Sequence, residues 1–190
     1  MNEKDPRAVR TKNLIKESFA YLLEEKDFKY ITVNDITTKA TINRATFYAH
    51  YTDKHILLEE FIIDCFGEMI PLEISNAISL NENIVREFIL FLYKYNVYFY
   101  QKCKIDSTSI APYVDNLLKD IIENLIEKIL INMADRGELD YRDINLLVKI
   151  IGSSIYSCAR YCYLNKENED RELIIKKTLN FIMHGIKGIK

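Results

Sequence analysis

Residues 32 to 54, TVNDITTKATINRATFYAHYTDK, constrain the fold more than any other part of this chain. Thr32 followed by Asp35 is a capping-box pattern, which starts a helix by satisfying its first backbone donors. The helical pattern breaks just before Asn43, and Asn43 is itself a good cap for a second helix over residues 44–50. The stretch therefore predicts two short helices joined by a tight turn.

A helix–turn–helix of this size is the form that places its second helix in a DNA major groove. The stretch ITVNDITTKATINRATFYAHYTDKHIL resembles the DNA-binding module of the TetR family of bacterial regulators. The usual text of that module is close to ITV-x-x-I-A-x-x-A-G-V-S-x-x-T-F/L-Y-x-H-F-x-x-K-x-x-L. The matching residues are Ile31, Thr32, Val33, Ile36, Ala40, Thr46, Phe47, Tyr48, His50, Lys54 and Leu57.

Some positions depart from the family pattern. Thr37 replaces a small Ala, Asn43 replaces Ser, and Tyr51 replaces Phe. Thr41 stands where Gly usually makes the turn, and a non-Gly residue with positive φ costs stability. The family's turn geometry therefore predicts a strained backbone at Thr41.

The resemblance and the side-chain chemistry indicate the same DNA contacts. Arg44 is suited to a bidentate contact with guanine, or alternatively to a phosphate. Lys54, at the start of the next helix, is predicted to meet a phosphate together with that helix's N-terminal dipole. Thr46, Tyr48 and His50 suit phosphate oxygens or a thymine methyl group, whereas Phe47 is expected to face inward. The full predicted set is Thr32, Asn43, Arg44, Ala45, Thr46, Tyr48, His50 and Lys54.

Composition places the whole chain in the all-α class. It has 190 residues, 48% hydrophobic and 28% charged, with only five Gly and three Pro. Such a chain has enough apolar material for a packed core. No uncharged apolar run approaches the roughly 18 residues that span a bilayer, and the polar start MNEKDPRAVR does not resemble a signal peptide. We therefore expect a cytoplasmic protein that makes no membrane contact.

The chain is expected to have two domains. Residues 1–54 form the helix–turn–helix DNA-binding domain, and residues 55–190 form a helical bundle for effector binding and dimerisation. Residues 1–54 carry ten Lys and Arg against eight Asp and Glu, while the remainder carries 16 against 20. The charge asymmetry has the sign expected for an N-terminal nucleic-acid module, although it is small. At the start of the first helix, three basic residues either reach phosphates or decorate a solvated helix end: Arg7, Arg10 and Lys12.

The helix predicted over residues 83–104 is unusually aromatic. Its tyrosines supply more hydroxyl groups than a dry core usually accepts, because a buried Tyr needs a hydrogen-bond partner. Candidate effector contacts are Tyr95, Phe99 and Cys103, for which core packing is the alternative role.

The last two helices have the length and apolarity of an interface as well as of a core. In the family that the chain resembles, the corresponding pair forms a four-helix bundle with its copy. The predicted dimer residues are Ile151, Ile155, Cys158, Cys162, Leu179, Ile182 and Ile186. A dimer also suits the DNA interpretation, because two recognition helices roughly 34 Å apart read a palindrome.

Three alternative functions are an enzyme, a helical protein-interaction module and a DNA-binding regulator without an effector. An enzyme is disfavoured because no phosphate-binding Gly-rich loop, Ser nucleophile set between glycines or metal-ligand spacing is present, and no cofactor is expected. Cys158 and Cys162 could form a metal or redox pair, but buried small hydrophobes are favoured. A helical protein-interaction module and an effector-independent DNA-binding regulator stay open as alternatives.

The favoured interpretation is a homodimeric, sequence-specific transcriptional regulator that binds a palindromic operator. By resemblance to the family it is a repressor released by a small-molecule effector. The effector would enter residues 55–190, shift the helix over residues 54–70 and change the separation of the two recognition helices.

Overall fold

The computed structural model describes residues 5–103, 110–165 and 170–187, and every regular element within those ranges is a helix. The predicted all-α class is therefore confirmed. The α-helices are α1 (Pro6–Glu25), α2 (Val33–Lys39), α3 (Arg44–Tyr48), α4 (Lys54–Met69), α5 (Leu72–Ser75), α6 (Glu82–Lys102), α7 (Ala111–Asp135), α8 (Ile144–Leu164) and α9 (Arg171–Lys187). Single 3₁₀ turns lie at Phe28–Tyr30 and Tyr141–Asp143. None of the helices in the described ranges has the length and apolarity needed to cross a membrane.

The chain packs as two compact units. The first contains Met1–Glu68 and Phe99–Asp115, and the second contains Met69–Tyr98 and Asn116–Lys190. This division follows packing, whereas the predicted boundary at residues 54 and 55 separates functions. The functional boundary therefore remains a prediction.

Helix α1 begins as the sequence predicts. The Asp5 carboxylate accepts a hydrogen bond from the Arg7 backbone N–H at 2.9 Å, and Pro6 takes the first helical position. Proline fits there because that position has no intrahelical N–H bond to lose. The apolar residues of α1 at helical spacing are buried: Ile15, Phe19, Leu22 and Leu23.

The later helix ends also follow local chemistry. Helix α4 ends at Met69, just before Pro71, as the missing N–H of proline requires. Gly137 follows α7 with φ 73°, the left-handed conformation that glycine adopts without strain. The helix predicted from Tyr141 begins as a 3₁₀ turn capped by Asp140 and becomes α-helical at Ile144. The short helix α5 was not predicted, and the predicted turn at residues 106–109 lies outside the described residues.

Close packing of α7 and α8 depends on one glycine. A Cβ atom on Gly152 would lie 2.8 Å from Cγ of Glu123, so a larger residue could not sit there without a shift. The Glu123 carboxylate is almost buried and accepts a hydrogen bond from Lys149 at 2.5 Å. Gly152 thus allows α7 and α8 to approach each other closely.

Candidate nucleic-acid interface

Helix α2 starts with a complete capping box. The Asp35 backbone N–H donates to the Thr32 hydroxyl at 3.1 Å, and the Thr32 N–H donates to the Asp35 carboxylate at 2.8 Å. Lys26 approaches the same carboxylate at 2.8 Å. Its ammonium and the Thr32 donors hold the pKa of Asp35 at about 2. The start of α2 is therefore tied both to itself and to the end of α1.

The turn between α2 and α3 is a Schellman motif. The Ile42 N–H donates to the Thr37 carbonyl at 3.0 Å, and the Thr41 N–H donates to the Thr38 carbonyl at 3.2 Å. This pattern requires a left-handed residue after the helix, usually glycine. Here Thr41 takes the position with φ 56°, so the predicted strain is present. The family's turn geometry is kept at a cost in stability.

Helix α3 is short because its cap and its end are close together. The Asn43 side-chain oxygen accepts from the Thr46 backbone N–H at 2.8 Å and from the Thr46 hydroxyl at 3.0 Å. The helix ends at Tyr48 rather than near His50 as predicted. Because the Thr46 hydroxyl donates within the cap, a phosphate contact by Thr46 would require that hydroxyl to rotate.

The outer side of α3 is polar and its inner side is apolar. Asn43, Arg44, Ala45 and Tyr48 are exposed, whereas Phe47 is fully buried, as predicted. The Arg44 guanidinium donates to the Tyr48 hydroxyl at 3.1 Å and lies 5.5 Å from the centre of its ring. The ring of Tyr48 in turn meets the buried Phe47 ring edge to face at 5.6 Å. A planar donor group is thus held on the exposed surface of a short, anchored helix.

His50 lies just beyond α3 and is half-buried. Burial lowers the pKa of His50, Lys12 lowers it further, and Glu60 opposes the change. The neutral imidazole is therefore the favoured form at neutral pH. It offers one N–H donor and one acceptor, which suits a polar contact better than a strong ionic one.

Lys54 has a different position from the one predicted for a phosphate contact. Its ammonium donates to the carbonyls of Phe28 at 2.9 Å, Lys29 at 3.3 Å and Ile31 at 2.8 Å. An ammonium has three N–H donors, and these three carbonyls use all of them. Lys54 also lies over the Phe28 ring at 4.4 Å. In this structure Lys54 fastens the start of α4 to the segment before α2.

Sequence reasoning missed an ionic cluster between α1 and α4. Lys12 approaches the Glu60 carboxylate at 2.9 Å, Lys16 also pairs with Glu60, and Lys16 approaches Asp64 at 2.5 Å. The two lysines are four residues apart on α1, and the two acidic residues are four residues apart on α4. Each pair therefore lies on one face of its helix. That matched spacing was the available signal, but sequence alone does not say which two helices face each other.

The predicted effector residues are parts of the packed interior. Tyr95, Phe99 and Cys103 are all almost fully buried. Two surface cavities are lined by other residues and not by these three. One of about 630 Å³ lies beside α5, and one of about 460 Å³ lies beside α9. The core-packing alternative therefore describes these three side chains in this structure.

Most of the predicted dimer residues also pack within the single chain. Six of them are buried within the single chain: Ile151, Ile155, Cys158, Cys162, Leu179 and Ile182. A side chain that packs into its own protomer has no surface to offer a second copy. The side chain of Ile186 lies outside the described part of the chain. Burial also raises the pKa of Cys162 to about 12, which fits the interpretation of this cysteine as a small hydrophobe.

Known regulators share sequence with this chain, although no protein-family model matches it. The helix–turn–helix regulator YxbF of Bacillus subtilis is 42% identical over 84 residues, which are 44% of this chain and 22% of YxbF. The match thus spans about a fifth of that relative. The dhaKLM operon activator DhaS of Lactococcus lactis is 23% identical over 190 residues, covering 95% of this chain and 93% of DhaS.

Solved structures of similar fold extend over nearly the whole chain. A TetR transcriptional regulator from Streptococcus agalactiae is 25% identical, with a TM-score of 0.56, and the match covers 94% of this chain and 97% of that one. FadR of Bacillus subtilis in complex with stearoyl-CoA has a TM-score of 0.55 at 15% identity, over 90% of this chain and 96% of FadR. RolR in complex with resorcinol has a TM-score of 0.58 at 15% identity, over 92% of this chain and 88% of RolR. These relatives and the shared fold support a helix–turn–helix transcriptional regulator of TetR type.

Proposed function

We propose that the protein binds a palindromic DNA operator as a homodimer, through α3, and that a small-molecule effector controls this binding. The observation that carries the proposal is the geometry of α3. Its exposed Arg44–Tyr48 pair is held on a five-residue helix whose inner side is anchored by Phe47. Rigid presentation of a planar donor is what base-specific contact in a major groove needs.

The proposed contacts divide into base reading and phosphate positioning. Arg44 reads a guanine after releasing the Tyr48 hydroxyl, and Tyr48 then donates to a neighbouring phosphate. Arg7 and Arg10, both exposed at the start of α1, contribute phosphate contacts that carry no sequence information. Ala45 packs against a thymine methyl group. Thr32, Asn43, Thr46 and His50 remain proposed contacts of the helix ends, and we assign Lys54 a structural role instead.

Selection of bound duplexes from a random pool tests the proposal directly. We expect a palindromic consensus with half-sites one helical turn apart, and affinity that falls steeply with salt. Arg44→Ala should remove about 1–3 kcal/mol of discrimination at one position of each half-site. Arg10→Ala should weaken all duplexes alike and flatten the salt slope by about one. Arg142→Ala, an exposed arginine of the second unit, is the matched control and should change neither quantity.

A helical protein-interaction module would give the opposite result. It would recover no enriched duplex, and its variants would show no salt-dependent DNA affinity to lose.

The proposed dimer surface is the exposed apolar side of α8 and α9 rather than the buried side. Large apolar residues are exposed there: Leu146, Ile150, Tyr161, Leu164, Leu173 and Phe181. Their spacing along α8 follows helical periodicity, so they form one stripe beside the buried stripe. Contiguous exposed apolar surface of this kind typically marks a protein interface.

Two substitutions test that surface. Ile150→Glu and Phe181→Glu should convert the dimer to a monomer in sedimentation equilibrium and weaken operator binding, because each half-site then binds alone. Leu72→Glu, on a residue that is 74% exposed on α5, is the matched control and should leave the dimer intact. A monomeric wild type would contradict the proposed assembly.

The effector proposal is supported by analogy of fold. FadR and RolR were solved with stearoyl-CoA and resorcinol, and both share this fold. We propose that an effector binds within residues 55–190 and shifts α4, and it must prefer one spacing of the recognition helices. A compound that raises the melting temperature of the protein should therefore change operator affinity. Saturating binding with unchanged operator affinity would contradict the coupling.

The sign of regulation and the compartment are part of the same proposal. We propose a repressor that acts in the cytoplasm, where its DNA target lies, while DhaS, a relative, is named an activator. A reporter gene placed behind the selected operator distinguishes the two signs. Expression should rise when the protein is absent, whereas a fall would identify an activator.

A further inference from the structure

Glu60 lies where three parts of the first unit meet. It projects from α4 to the Lys12 ammonium at 2.9 Å and also pairs with Lys16, so it joins α4 to α1. Its side chain is 27% exposed. Burial raises the pKa of Glu60, but hydrogen bonds from Lys16 and Lys12 outweigh it and hold the pKa below its usual value. Glu60 is therefore a charged, partly buried link between two helices.

The third part is the segment that follows α3. Tyr51 is only 2% exposed, and its ring lies 5.8 Å from the ring of Phe47, the buried anchor of α3. The Lys12 ammonium lies 5.8 Å from the centre of the Tyr51 ring. Burial and the nearby Glu60 carboxylate both raise the pKa of the Tyr51 hydroxyl. Lys12 thus joins Glu60 to the ring of Tyr51, which lies beside the anchor of α3, whereas the Tyr51 hydroxyl has no hydrogen-bond partner among the described residues.

We propose that Glu60 is a positioning residue for DNA recognition, which fixes the direction of α3 by holding the Lys12 ammonium over the Tyr51 ring. The inference rests on the proposed DNA-binding function. Glu60 itself does not touch a base. It acts on α3 through Tyr51 and Phe47.

The length of α3 explains why it needs such support. Five residues span only about 7.5 Å, so the helix has little packing surface of its own. Its first end is fixed by Asn43 and the preceding turn, but its second end depends on Tyr51. A bidentate contact tolerates displacements of well under 1 Å. Loss of the support at one end would therefore reduce base reading more than general attraction to phosphates.

An isolated surface ion pair would not suffice for this role, because such pairs contribute little. The Glu60 cluster differs in two respects. Two ammonium groups share one carboxylate, and Lys16 extends the cluster to Asp64 one turn further along α4. A network that crosses from α1 to α4 at two successive turns restricts sliding between the helices, which a single pair does not.

Glu60→Gln tests the proposal with a matched control in the same cluster. The measured quantity is the ratio of affinities for the selected duplex and for a scrambled duplex of equal length and composition. We expect Glu60→Gln to lower this ratio about tenfold, because specific affinity falls while the loss of a negative charge maintains non-specific affinity for DNA. Asp64→Asn removes the same charge and loosens Lys16, but it leaves Lys12 in place. It should change the ratio less than twofold.

Nuclear magnetic resonance of the His50 ring provides a second readout without DNA. Glu60 raises the pKa of His50, so Glu60→Gln should lower that pKa, and Asp64→Asn should change it less. If Glu60→Gln does not fold, Lys12→Gln, at a more exposed side chain, removes the ammonium that joins Glu60 to the Tyr51 ring. It should lower the affinity ratio in the same direction.

The outcomes separate two failures. An affinity ratio unchanged in a folded Glu60→Gln or Lys12→Gln variant would overturn the positioning role, as would equal losses for both duplexes. A wild type without preference for any duplex would instead overturn the proposed function itself.

Discussion

The helix–turn–helix segment and the second unit differ in how their polar side chains are hydrogen-bonded. In the segment, Thr32 bonds Asp35 and Asn43 bonds Thr46 close by in the sequence, and Lys54 bonds three carbonyls further away. The Tyr51 hydroxyl is the exception, without a hydrogen-bond partner among the described residues. In the second unit, Asn96 is fully buried on α6, where its amide nitrogen donates to the Leu92 carbonyl at 3.0 Å. Its side-chain oxygen has no hydrogen-bond partner among the described residues.

This difference suits different tasks. Short-range hydrogen bonds fix the shape of a small segment that has little core, and a fixed shape is what base reading requires. The second unit is held by apolar contacts along long helices, which are less directional. Such a core can repack around a ligand at modest cost. The part proposed to read DNA is therefore expected to be rigid, and the part proposed to bind an effector is expected to adapt its packing.

The largest effect is expected for Lys54→Met, which keeps the apolar stem and removes the ammonium. Three carbonyls then lose their donor, and we expect a loss of about 2–3 kcal/mol in the free energy of unfolding, measured with urea. The salt slope of duplex binding should stay unchanged, because no phosphate contact is lost. Lys29→Met, on an exposed neighbour, is the control and should cost less than about 0.5 kcal/mol. Unchanged stability with a flatter slope would restore the phosphate role.

Asn96→Leu tests the other side of the comparison and should have the opposite sign. Leucine fills a similar volume and removes a buried carbonyl without a partner, so unfolding should cost about 1–2 kcal/mol more. Asn116→Leu, at an exposed position on α7, should give no such gain. A loss of stability in Asn96→Leu would mean that an ordered water or a ligand satisfies that oxygen, and the contrast between the units would fail.

What the sequence could predict follows the same contrast. The caps at Thr32 and Asn43 and the strained Thr41 depend on neighbours within a few residues, so their types and order were enough. The stripe through Ile151 and Ile155 was also correct as an apolar face, but periodicity does not say whether such a face meets its own chain or a second copy.

Long-range partners could not be derived from the sequence. Lys54 reaches carbonyls 23 to 26 residues earlier in the chain, and Lys12 reaches Glu60 across 48 positions. Both depend on how helices pack, which no local pattern encodes. Lys54 was therefore assigned to phosphate by resemblance, and the geometry of its three hydrogen bonds supports a different role.

A smaller effect is expected from the pH dependence of the α2 capping box. The pKa of Asp35 is about 2 in the folded protein, below the ordinary value of about 3.9 in an unfolded chain. Its contribution is therefore complete above pH 5 and is lost as the pH falls towards 2. Asp35→Asn should cost about 1 kcal/mol at pH 7, after allowance for solvent screening. The difference from wild type in urea unfolding should shrink steadily below pH 4; a constant difference would show that charge is not the cause.

The smallest effect is expected at the turn between α2 and α3, where the backbone of Thr41 is strained. Thr41→Gly relieves a left-handed β-branched residue but makes the unfolded chain more flexible, so the net gain should be about 0.5 kcal/mol. Thr38→Gly, within α2, is the matched control. It should cost about 0.5–1 kcal/mol, because helical glycine has only the entropic penalty. Urea unfolding resolves the opposite signs. If both glycines destabilise the protein equally, the Thr41 side chain makes a contact that offsets its backbone strain. The turn would then be another stabilised part of the segment and not an exception to it.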